Sequence, residues 1–94
     1  YAIRRRLLID GLREMGLSIP IDPPGAFYVL VDMRHFERDS LTLCFDILDE
    51  AHVALGPGRD FGEIAEGFVR FSFATARPEI EEALRRLSRA LPRL

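Results

Sequence analysis

Apolar and polar positions recur with two periods along this 94-residue chain, and those periods predict its elements. In residues 1–16, YAIRRRLLIDGLREMG, the positions Ile3, Leu7, Leu8, Leu12 and Met15 fall at helical steps, and Gly16 is a stop signal. Pro20, Pro23, Pro24 and Gly25 predict a turn-rich loop. Residues 27–32 then predict a strand that is apolar on both faces, as a central strand is. Ser40 is a candidate cap for a second helix over 41–51, with Leu41, Cys44, Phe45 and Leu48 as its inner stripe. Residues 53–55 predict a short strand that ends in a turn built from Gly56, Pro57, Gly58 and Gly62. GFVRFSFAT, residues 67–75, predicts another strand. The last segment predicts a helix with Pro78 in its first turn, and with Ile80, Leu84, Leu87 and Leu91 on one face.

The predicted order is therefore helix, strand, helix, strand, strand, helix. It points to an α+β domain of two layers, a small mainly antiparallel sheet of three or four strands packed by helices. The alternation also fits an α/β label.

One position breaks the pattern. Arg70 sits in the middle of the apolar run 67–75, where a buried charge is costly unless something meets it. Strand alternation resolves part of the conflict. Val69, Phe71 and Phe73 share one face and are candidates for the core. Phe68, Arg70, Ser72 and Ala74 share the other. Two readings of Arg70 follow: a structural ion pair or exposed sheet-face arginine, or an anion site. A guanidinium is a planar fork that matches a carboxylate with two bonds, and it stays charged at any relevant pH.

Composition narrows the chemistry. The hydrophobic share of 48% requires a packed core, and the length suits one domain. A net charge of -2 gives no reason to expect nucleic acid or an anionic membrane as partner, so the Arg4–Arg6 run reads as a solvated helix face. No apolar run approaches a transmembrane helix. The single cysteine, Cys44, excludes an internal disulfide, reads as a small buried hydrophobe and fits a cytoplasmic setting. His35 and His52 lack further ligands at metal spacing, and Asp46, Asp49 and Glu50 read as solvated charges. The glycine-rich turn is not a phosphate loop, because neither GxxxxGK[ST] nor GxGxxG is present. All 13 basic residues are arginine, so the chain offers no lysine amine for a Schiff base. The first residue is Tyr1 and a helical pattern is already under way there, which leads us to expect a piece of something longer.

Four segments in order, PPGAFYVLVD, ALGPGRDFG, EGFVRFSFA and PEIEEALRRL, resemble the C-terminal small domain of class I/II aminotransferases, fold-type-I enzymes that use pyridoxal 5'-phosphate. The opening helix also resembles the one that begins the C-terminal portion in that family. The resemblance covers nearly the whole chain and rests on Gly25-Ala26-Phe27-Tyr28, Pro57-Gly58, Phe61-Gly62 and Val69-Arg70. It implies that residues 1–94 are that small domain. It also implies that Arg70 binds the α-carboxylate of an amino-acid or 2-oxo-acid substrate, for transamination or related α-carbon chemistry. The Pro57–Gly62 turn resembles a loop near the domain interface; Arg59 lies in it, as a solvent-facing residue or a contact to a second anion. The cofactor lysine and most cofactor contacts belong to the preceding large domain, which this chain lacks. The fragment alone is therefore expected to be inactive, to hold no cofactor, and to come from a homodimeric cytoplasmic enzyme. The alternative expectation is a non-catalytic α+β module that binds a ligand or a protein partner.

Overall fold

The computed structural model describes residues 2–21 and 27–94. Its elements are α1 (Ala2–Glu14), β1 (Ser18–Ile21), β2 (Tyr28–Asp32), α2 (Ser40–Ala51), β3 (Gly56–Pro57), β4 (Phe68–Ser72) and α3 (Arg77–Ala90). The strands form one antiparallel sheet in the order β1-β2-β4-β3. The expected α+β architecture, with a small antiparallel sheet packed by helices, is the one observed. The expected turn at Pro23, Pro24 and Gly25 lies outside the described residues.

The sheet is packed from one side. Val29 and Val31 of β2, Val69 and Phe71 of β4, and Phe73 just after it are all buried. They join Leu8, Ile9 and Leu12 of α1, Leu43 and Ile47 of α2, and Ile80 and Leu87 of α3 in one core. Each large side chain removed from water here contributes about 1.5–3 kcal/mol. Alternation thus sorts β4 as expected: Val69, Phe71 and Phe73 face the helices, and Phe68, Arg70 and Ser72 face outward.

Several local expectations shift. A strand, β1, occupies residues read as loop; it pairs with β2 alone, so Pro20 sits on an edge, where a missing N–H is tolerated. No strand forms at 53–55; the short strand lies directly after, at Gly56–Pro57, in residues read as turn, and pairs with β4. In α1, Ile3 is 70% exposed and Ile9 takes its place inside. In α2 the inner stripe is Ser40, Leu43, Cys44, Ile47 and Ala51, while Phe45 and Leu48 are 58% and 41% exposed. Apolar residues line nearly every side of α2, so periodicity does not choose which side meets the sheet.

The cap of α2 also moves by one residue. Asp39 is the N-cap: its carboxylate accepts from the Thr42 backbone N–H at 2.9 Å and from the Thr42 hydroxyl at 2.7 Å. These bonds hold the Asp39 carboxyl below the usual carboxylate range. Ser40 is the first helical residue and is fully buried. Its backbone N–H and hydroxyl both donate to the Glu66 carboxylate, at 2.6 and 2.9 Å.

Candidate functional site

The outward face of the sheet is set by register. Across β2 and β4, Tyr28 lies opposite Ser72, Leu30 opposite Arg70, and Asp32 opposite Phe68. On the other side of β4, Gly56 of β3 lies opposite Arg70. Arg70 is therefore at the centre of this face, on an inner strand flanked by two others, where the backbone direction is fixed.

The arginine side chain crosses from β4 toward β3. A Cβ built on Gly56 would stand 2.6 Å from both Nε and Nη2 of Arg70 and 2.9 Å from Cζ. The guanidinium thus occupies the place that a side chain at position 56 would fill. Arg70 Nε is buried without a hydrogen-bond partner, and among the described residues the guanidinium makes no ion pair. A buried donor left unsatisfied costs about 1–3 kcal/mol, and more when charged. Asp60 and Glu66 are near enough that both, with Arg70, act on the Cys44 thiol, yet neither pairs with the arginine. Glu66 is instead committed to Ser40.

The segment between β3 and β4 frames the arginine. A 3-10 turn at Gly58–Phe61 and another at Glu63–Ala65 fold it tightly. Gly58 is required there, because a Cβ would collide with the carbonyl oxygens of Ala65 and Phe68. The Glu66 carboxylate anchors the far end to the first turn of α2, where the helix dipole favours negative charge. Phe61, at the tip of the first turn, stacks on Tyr28 with centroids 5.2 Å apart and planes at 29°. Phe61 and Tyr28 form an aromatic wall on the same face as Arg70.

The other sequence candidates are dispersed. Arg59 is exposed and lies 4.0 Å from Asp39, a surface pairing. Cys44 is buried in the core, and burial above all, then Asp60, pushes its thiol up to about 11; Arg70 opposes this, and Glu66 adds a smaller push. Such a thiol is an inert packing group. His35 lies against Phe36 with the rings tilted, and His52 ends α2, both exposed. Asp46 is half-buried and bonded to Arg38 at 3.0 Å, so it is more than the solvated charge expected. Glu50 lies 3.9 Å from Arg93. Arg4 donates to the Thr75 carbonyl at 3.1 Å, which ties the arginine run to the segment before α3. Sequence reading singled out Arg70 but missed its seat at Gly56, the Tyr28–Phe61 stack and the Ser40–Glu66 clip. Each depends on register or long-range contact, which local patterning does not carry.

A family model for aminotransferase class I and II matches residues 1–87. The chain belongs to the class I and II aminotransferase family. It is 48% identical over 93 residues to a valine–pyruvate aminotransferase of Mycobacterium tuberculosis, covering 98% of this chain and 24% of that protein. It is 41% identical over 91 residues to an aspartate aminotransferase of Pyrococcus abyssi, covering 97% and 23%. The structure superposes on the aromatic aminotransferase of Pyrococcus horikoshii with a TM-score of 0.92 at 42% identity, covering 99% of this chain and 24% of that one. The chain spans about a quarter of the length of these aminotransferases. Among the described residues, no helix is long and apolar enough to cross a membrane.

Proposed function

We propose that residues 1–94 are the C-terminal small domain of a pyridoxal-phosphate-dependent aminotransferase, and that Arg70 binds the α-carboxylate of its amino-acid or 2-oxo-acid substrate. The observation that supports this most is the uncommitted guanidinium: a charge fixed on an inner strand, with a buried nitrogen that no described residue satisfies. A carboxylate is its chemical complement. It takes two parallel N–H bonds from the fork and neutralises the charge.

The chain's own residues give this role a physical form. β4 fixes where the guanidinium starts, and the missing side chain at Gly56 fixes where it lies. The Tyr28–Phe61 stack adds an apolar surface on the same side of the sheet. A carboxylate held this way presents its α-carbon in one orientation, and orientation is a large part of catalysis at that atom. Pyridoxal phosphate, when bound in such an enzyme, supplies an electron sink for chemistry at the α-carbon. This chain has no lysine to hold it. The cofactor site is assigned to a preceding large domain, and the 94-residue chain is expected to be inactive alone. The assembled enzyme is read as a cytoplasmic homodimer.

The test is Arg70→Ala in the full-length parent. Losing charge-assisted bonds should lower kcat/KM by roughly 10- to 100-fold or more, since each contributes ~1.5–3 kcal/mol, while cofactor absorbance stays native. An amine substrate that lacks the carboxylate should be turned over equally by both proteins. Native kcat/KM in the variant would dispose of the carboxylate role.

A further inference from the structure

The direction of the Arg70 fork has an identifiable cause in its two neighbours across the sheet. On β2 the residue opposite is Leu30, a branched side chain on the same face. On β3 the residue opposite is Gly56, which has none. Directly opposed residues of antiparallel strands project to the same side. The arginine therefore stands between a bulky neighbour and a vacancy, and its guanidinium lies in the vacancy: Nε and Nη2 are each 2.6 Å from where a Cβ at 56 would be. A Cβ makes essentially no contact that short. Any residue but glycine at position 56 must move the guanidinium, because the arginine end is the part of the pair that can yield.

We propose that Gly56 is a positioning residue for substrate binding: by presenting no side chain opposite Arg70, it seats the guanidinium and sets the direction of its carboxylate-binding fork. This rests on the reading of Arg70 as the carboxylate-binding residue. Gly56 is not needed for an unusual backbone; it sits in a strand pair, in a conformation that alanine adopts as readily. Its value lies in the space it leaves. A displacement of about an ångström at a residue that orients the substrate costs up to about 100-fold, so one methyl group suffices to expose the effect.

The experiment uses the full-length parent with Gly56→Ala, Arg70→Lys, Arg70→Ala and the double variant Gly56→Ala/Arg70→Lys. Two readouts are taken: calorimetric affinity for a non-reactive aliphatic carboxylate, and the split between KM and kcat. Gly56→Ala should weaken carboxylate affinity by about 10- to 100-fold, with a rise in KM that exceeds any fall in kcat and an unchanged melting temperature. In the Arg70→Lys background the same alanine should change affinity by less than about two-fold, because a lysine has no planar fork to misdirect. Equal losses in both backgrounds, or native affinity in Gly56→Ala, would overturn the proposal. If Gly56→Ala does not fold, Leu30→Ala tests the same asymmetry from the other side. It should loosen the fork and weaken affinity several-fold, and no change there would count equally against the seat. If Arg70→Ala itself keeps full carboxylate affinity, the reading of Arg70 fails, and that outcome is distinct from a failure at Gly56 alone.

Discussion

Two arginines lie toward the outer side of the same sheet and are treated in opposite ways. Arg34, just beyond the end of β2, is paired. Its Nε and Nη2 donate to the two oxygens of Asp32 at 3.0 and 2.7 Å, its backbone N–H donates to the same carboxylate at 3.0 Å, and its guanidinium lies 5.2 Å from the centre of the Phe68 ring. Arg70, two residues along β4 from that ring, has no such partner among the described residues, although it is the more buried of the two. Stability alone gives no reason to leave the half-buried arginine's Nε unsatisfied while the exposed one is paired, because an unsatisfied buried donor costs free energy. The difference separates an arginine paired within the chain from one whose Nε no described residue satisfies, which is the contrast the proposed carboxylate role rests on.

The strongest way to break that contrast is to remove the cost that Arg70 carries. Arg70→Met keeps the length and apolar stem and deletes the unpaired donors. We expect the 94-residue chain to become more stable by ~1–3 kcal/mol, the range for an unsatisfied buried group, read as a higher urea midpoint with an unchanged slope. An apolar replacement at Arg34 should give no such gain. If Arg70→Met instead destabilises the chain, the arginine has a structural partner and the contrast dissolves.

This contrast was only partly legible in the sequence. The outward direction of Arg70 followed from alternation alone, because Val69, Phe71 and Phe73 left it no other side. The apolar face of α3 was equally plain: Ile80 and Leu87 are buried, and they stand out against charged neighbours. In α2 the same method failed, because Phe45 and Leu48 are as apolar as Leu43 and Ile47, and only packing against the sheet decides between them. β1 was hidden by Pro20, a residue that argues against a strand except at an edge, and edge position is a property of the whole sheet. The pairing of Gly56 with Arg70 was hidden for a related reason. Fourteen positions separate them, and register between strands is set by long-range packing rather than by the residues alongside.

The smaller effect lies at the occupied end of the face, and pH brings it out. The Arg34 side chain, above all through its hydrogen bonds, holds the Asp32 carboxyl below its ordinary value of 3.8. A carboxyl depressed in the folded state contributes stability above its unfolded pKa and loses it as pH falls through the folded one. The Asp32–Arg34 pair should therefore support the fold fully at neutral pH and progressively less below about pH 4. Arg34→Ala removes the depression, so the variant should be slightly less stable than the native chain at pH 7. The two should converge as the medium is acidified past the native Asp32 titration. The contribution is small, because the Arg34 side chain is 65% exposed and solvent screens the pair. NMR titration of the Asp32 carboxyl reads it directly: a midpoint below 3.8 in the native chain, returning toward 3.8 in Arg34→Ala. In Arg70→Met the Asp32 midpoint should stay at its native value, since Arg70 is not among the groups that depress it. If Asp32 moved as far in Arg70→Met as in Arg34→Ala, the two arginines would share one carboxylate, and Arg70 would not be the uncommitted cation on which its binding role depends.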